Sequence, residues 1–174
     1  MKTELNILTE CFVDTLIVKS ILYQKKGFNH RKGCNEVLKI NDKFADQAAF
    51  GIIDDDKIVP KAFKDFSLLK KHNEQLSIYK CKDKPHFIVK IGKAAEDFII
   101  KNAEKCNIRL SEYNLPSELE KLKKRTKQIN SMQDTDFKRL FSALLQHESS
   151  DFCKLAQWIE LFISDPYNFN IELL

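Results

Sequence analysis

The chain has 174 residues, 43% hydrophobic and 31% charged, with a formal net charge of +4. That is enough for one domain with a buried core and a helical appendage. It contains no apolar run near the roughly 20 residues that span a bilayer. The opening residues Met1, Lys2, Thr3 and Glu4 lack the basic-then-apolar start of a signal peptide, so the expectation is a cytoplasmic chain with no membrane association. Cys11, Cys34, Cys81, Cys106 and Cys153 are scattered singly, which argues for reduced thiols and against both a disulfide framework and structural zinc. The modest positive charge permits nucleic-acid binding without establishing it.

In chain order, residues 5–8 read as a first strand. Val13, Leu16, Ile17, Ile21 and Leu22 fall on one helical face, with Asp14 in the first turn, where a carboxylate suits the helix dipole. Residues 27–33 form a basic, glycine-bounded loop containing His30, Arg31 and Lys32. Residues 37–40 alternate briefly. Residues 48–53 are a continuous apolar run, the signature of a buried strand, and it ends in Asp54, Asp55 and Asp56, followed by Lys57. Residues 63–69 suggest a short helix, and residues 76–81 and 87–91 two further strands. From Lys93 onward only helical periodicity remains: a stripe through Ala95, Phe98 and Ile99, another from Leu115 through Leu122, then Phe137 to Leu145 and Phe152 to Ile163 at i, i+3, i+4 spacing. Such stripes are core packing. The division expected is an α/β core over residues 1–92 and a helical C-terminal part over residues 93–174 packed on it.

Three carboxylates at a strand exit are electrostatically costly unless something positive sits there. Mg²⁺ is held by one or two carboxylates that leave room for water and phosphate; a solvated acidic turn is the plainer alternative. A second acidic element, Glu10 just past the first strand and Asp14 at the start of the first helix, favours the metal. In an open α/β sheet ligands sit outside the carboxyl ends of the strands, and Glu10 and the Asp54–Asp56 group both occupy such ends. If their strands are parallel neighbours, the acids converge, and a metal there would activate water or stabilise charge on a phosphoryl group. Lys57 either offsets the carboxylates or contacts a phosphate. Arg31 and Lys32 make either a phosphate-binding loop or an ordinary solvated one. His86, following Lys80, Lys82 and Lys84, belongs to a basic strand and turn and is a further phosphate-binding candidate. Glu96, at the start of the helical part, is an exposed helix residue or reaches the metal edge.

The run Glu10-Cys11-Phe12-Val13-Asp14 resembles the opening motif of Toprim domains, in which a Glu after a strand is followed by Gly, two variable residues and Asp. Ile52-Ile53-Asp54-Asp55-Asp56 resembles their second motif, an apolar strand ending in Asp-x-Asp. Toprim domains occur in bacterial primases, topoisomerases, recombination-repair factors and OLD-type nucleases, and the similarity extends to small bacterial proteins of this kind. The resemblance covers residues 5–92. It implies a mostly parallel sheet flanked by helices, with Mg²⁺ (or Mn²⁺) held by Glu10, Asp54 and Asp56 and supported by Asp14 and Asp55. It also implies phosphodiester hydrolysis of nucleic acid, in phage defence or repair, with Glu10 as general acid/base. Cys11 departs from the pattern: Gly there allows a tight turn and close backbone approach. Two other classes compete. One is a non-catalytic module that keeps a Toprim-like scaffold and docks on a partner protein. The other, ranked well below, is a phosphotransfer receiver, whose acidic pair normally follows the first strand.

Overall fold

The longest apolar runs become the middle of the sheet. In the computed structural model, which describes residues 6–22, 28–30, 33–55, 61–128 and 133–174, strand β1 (Asn6–Thr9) is buried along its whole length. β3 (Ala49–Asp54) is buried up to Ile53, and β6 (His86–Ile91) is buried throughout. Strands covered on both faces require helices on both faces. With β2 (Phe28–His30), β4 (Phe66–Asn73) and β5 (Leu76–Cys81), the described strands form one sheet in the order β2-β1-β3-β6-β5-β4. The β1–β2, β1–β3 and β3–β6 ladders are parallel, and the β5–β6 and β4–β5 ladders are antiparallel. The class is therefore α/β with flanking helices, as expected, and the sheet is mixed.

Helix α1 (Phe12–Leu22) carries the chain from β1 to β2 over one face. Helices α2 (Cys34–Leu38) and α3 (Ile40–Lys43) carry it from β2 past β1 to β3 over the other. The two faces show in the alternation of β3: Phe50 and Ile52 pack with α1, whereas Ala49 and Ile53 pack with Val37, Leu38 and Ile40. Strand order thus reverses between β1 and β3, which makes the carboxyl ends of these two strands a topological switch point. Gly51 is required by this packing. A Cβ there would come within 2.5 Å of Ile88 Cδ1 and 2.7 Å of Val37 Cγ1, so its absence lets α2 lie close on the sheet.

Three local expectations change. Residues 63–69 are helical only at their start. A short 3-10 helix, Lys61–Asp65, gives way to β4, an edge strand whose ladder shifts register twice. Residues 28–30, expected as loop, form the short β2, and residues 37–40 lie in α2 and α3 rather than in an extended segment.

The C-terminal stripes form α4 (Ala95–Lys105), α5 (Leu119–Thr126), α6 (Thr135–Leu145) and α7 (Asp151–Ser164). Their buried residues Phe98, Phe141, Trp158 and Phe162 share one cluster with Ile7, Phe50 and Phe87 of the sheet. The Phe50 and Phe162 rings lie 5.2 Å apart. A buried polar joint reinforces this contact. Asp151 accepts hydrogen bonds from Asn73 Nδ2 and Lys105 Nζ, each at 2.8 Å, while Asn102 Oδ1 accepts the Asp151 N–H at 2.7 Å. β4, α4 and α7 are thereby pinned together, and the nearly buried Asp151 has the charged partner that burial demands.

Candidate functional site

Glu10 leaves β1 still bound to β3: its N–H donates to Ile52 O at 3.2 Å. Its side chain crosses the end of the neighbouring strand, where Oε2 accepts the backbone N–H of Asp54 at 3.1 Å. The two acids therefore meet at the switch point, on adjacent parallel strands. Gly33, at the start of α2, donates its N–H to Glu10 O at 3.4 Å, and His30 is in register with Thr9. The described residues on either side of Arg31 and Lys32 thus lie at this same edge, although Arg31 and Lys32 fall outside the described residues, as do Asp56 and Lys57.

Asp55 is turned differently. Its N–H donates to Gly92 O at 2.8 Å, and Gly92 N–H in turn donates to Gln75 O at 2.8 Å, so the end of β3 is laced to the end of β6 and to the β4–β5 turn. Gly92 sits at φ +45°, a left-handed conformation that favours glycine. The Asp55 carboxylate pairs with Lys90 Nζ at 2.9 Å. Lys90 is nearly buried, its ammonium 4.6 Å from the centre of the Phe63 ring. The pair and the ring together solvate a lysine that the sheet has taken out of water. The sequence signal for Lys90 is a lone charge inside the apolar run 87–91.

Asp14 is fully buried in the first turn of α1. Its Oδ2 accepts the Cys11 N–H at 3.1 Å, and Cys11 Sγ accepts the Asp14 N–H at 3.4 Å. That reciprocal exchange is a capping box in which Cys and Asp stand for the usual Ser and Glu. Cys11 is not among the residues at positive φ, so the backbone tolerates a side chain where the Toprim pattern has Gly. The other carboxylate oxygen, Asp14 Oδ1, is buried with no hydrogen-bond partner among the described residues. Burial pushes the Asp14 carboxyl up to about 7; the bonds from Cys11 oppose this, and the charges of Glu10 and Glu96 add to it. Burial and the neighbouring Asp14 also raise the Cys11 thiol well above its ordinary range, so it is a neutral packing group rather than a nucleophile. Glu96, in the first turn of α4, accepts a hydrogen bond from Thr126 Oγ1 and still adds its charge to Asp14, so it belongs to the edge.

His86 does not join these groups. β6 runs parallel to β3 with His86 opposite Ala49 and Ile91 opposite Asp54, which puts the histidine at the other end of the strands. It is fully buried. Its Nδ1 lies 2.7 Å from Asn41 Oδ1 and its Nε2 3.0 Å from Gln47 O. Burial lowers its pKa, so it is a neutral joint between β6 and the chain entering β3. The sequence placed it beside lysines, but a parallel register separates the start of a strand from its end.

Tested as a cation site, the edge supplies hard oxygen donors, clustered acids and, in Asp14 Oδ1, one buried oxygen without a partner among the described residues, all of which suit Mg²⁺. Among the described residues, no group of three or more His, Cys, Asp or Glu is arranged to hold a metal ion; Asp56, the third acid of the expected set, lies outside them. No helix among the described residues is long and apolar enough to cross a membrane. Comparison with protein-family models, with curated proteins and with solved structures finds no match.

Proposed function

We propose that this chain is a Toprim-type phosphodiesterase that uses Mg²⁺ or Mn²⁺ to cleave nucleic acid. The observation that carries the reading is the meeting of Glu10 and Asp54 across the β1–β3 switch point, with Glu10 Oε2 on the Asp54 N–H. Glu10, Asp54 and Asp56 would hold the metal, which would supply Lewis-acid stabilisation of a phosphoryl oxygen. Asp14, buried at the start of α1, would support the metal-binding edge and holds that helix start in place. Asp55, engaged by Lys90, positions the end of β3. Arg31, Lys32 and Lys57 are the cations that would meet the phosphate.

Glu10→Gln keeps the size of the side chain and an oxygen for the Asp54 N–H, and removes the charge and the basicity. The expected result is loss of metal-dependent cleavage across single- and double-stranded DNA and RNA, with the thermal midpoint preserved. Equal activity in the variant would show that the chemistry lies elsewhere.

The non-catalytic scaffold has two observations on its side. The Glu10 carboxylate already has a backbone donor, and no three-acid group converges among the described residues. Confirmed metal binding without cleavage of any nucleic acid would favour that reading, with a partner protein docked on the scaffold.

A further inference from the structure

Charge in this chain is unevenly placed. Residues 61–93 carry nine lysines against three acids, while the remaining residues carry 20 basic and 22 acidic groups. The excess lies on the β4–β5 hairpin and its flanks. β4 runs alongside β6 with β5 between them, so its turn comes out at the carboxylate edge, where Gln75 O accepts the Gly92 N–H. Lys71, three residues before that turn, stands opposite Ser77 in the ladder.

One face of this hairpin is apolar as well as basic. Leu68 stands opposite Tyr79 in the ladder and is 52% exposed. The Tyr79 ring packs edge-on against Phe63 at 4.8 Å and is half-buried, and Phe63 belongs to the short 3-10 helix that also carries exposed Lys64. Lys71 follows on β4, exposed and paired with exposed Glu74. Lysines flanking an apolar and aromatic strip match the chemistry of a single-stranded nucleic acid, whose phosphates need cations and whose unpaired bases need flat or apolar surface. A duplex would use the lysines and leave Leu68 idle.

We infer that the outer face of the β4–β5 hairpin, through Lys64, Leu68, Lys71 and Tyr79, is a docking track for a single strand of nucleic acid that leads its backbone toward Glu10 and Asp54. This rests on the nucleic-acid reading above and adds to it the class of substrate and the path it takes.

Binding is measured in EDTA, so the result does not depend on cleavage. The probes are a fluorescent 20-nucleotide oligothymidylate and a 20-base-pair duplex, titrated by anisotropy over a series of NaCl concentrations. Lys64→Glu/Lys71→Glu is expected to weaken oligothymidylate binding roughly tenfold or more and to flatten its salt dependence by roughly 1.4 in log–log slope, the loss of two phosphate contacts on a single strand. Lys124→Glu/Lys127→Glu, with the same change of charge on exposed residues around the end of α5, is expected to stay within about twofold of wild type. Leu68→Ser is expected to weaken the single strand by about threefold or more and to leave the duplex unchanged. Far-UV circular dichroism and the thermal midpoint verify that each variant is folded, and Lys64→Gln/Lys71→Gln repeats the test without introducing acids. Equal weakening by the two charge-reversal pairs, no measurable binding by the wild type, or Leu68→Ser affecting both probes alike would overturn the track. Hairpin-dependent binding without cleavage would uphold the track and remove the nuclease reading. Cleavage insensitive to the hairpin variants would do the reverse.

Discussion

At the scale of single residues, Asp14 gives the sharpest pH dependence. Burial holds its carboxyl at about 7 against an ordinary 3.8. Between those values the folded chain keeps the proton and the unfolded chain has released it. The unfolded state binds fewer protons there, so stability falls as pH rises through that window, and the loss is complete above about 7. At pH 8 the ionised form carries a penalty on the order of a few kcal/mol that is absent at pH 4. Asp14→Asn retains an oxygen for the Cys11 N–H and removes the charge. Without metal it is expected to raise the thermal midpoint by several degrees at pH 8 and to change it little at pH 4; an equal gain at both would mean that the charge is not the cause. Gly51→Ala tests packing instead. The added methyl meets Ile88 and Val37 head-on, and a loss of about 1–3 kcal/mol in denaturant unfolding is expected for such overpacking. The acidic residues of the site were legible in the sequence because an unbroken apolar run marks where a buried strand ends. The Cys11–Asp14 capping box was not, because Cys is not an expected cap and only the observed exchange of hydrogen bonds reveals it.

At the scale of elements, the sheet has two ends with different tasks. The carboxyl end gathers Glu10, Asp54, Asp14 and Glu96. The other end is closed by His86 against Asn41 and Gln47. His86→Ala leaves polar atoms of both neighbours without their partner, so it is expected to lower the thermal midpoint, by about 1–3 kcal/mol in stability, and to leave the midpoint increase caused by Mn²⁺ unchanged. A lost metal response in a folded His86→Ala protein would return this residue to the site. The hairpin explains why residues 63–69 suggested a helix. Phe63, Phe66 and Leu69 recur every third residue, as on a helical face, and the two register shifts in β4 break the alternation that would have signalled a strand. β2 was hidden for a different reason: three residues inside a glycine-bounded basic segment carry no periodicity of their own.

At the scale of the whole molecule, the sheet and the helices share one apolar cluster, and Asp151 joins β4, α4 and α7 through hydrogen bonds. Residues 1–92 alone would expose the sheet face that contains Phe50 and Phe87, and the fragment is expected to be aggregated or poorly dispersed in an amide correlation spectrum. A soluble fragment with well-dispersed amides would make the two parts independent domains. The helical stripes were readable because buried aromatic residues recur at helical spacing. Which face of the sheet they cover was not, since that depends on contacts far apart in sequence, such as Phe50 with Phe162. The carboxylate edge crowds acids that a divalent cation would relieve, and a ligand bound only by the folded state raises its stability. The most direct test of the account is a crystal soaked in Mn²⁺ and measured for anomalous scattering. The account predicts a peak at the carboxylate edge beside Glu10 and Asp54, and its loss in Glu10→Gln. A peak elsewhere, or none at an Mn²⁺ concentration that raises the thermal midpoint, would contradict it.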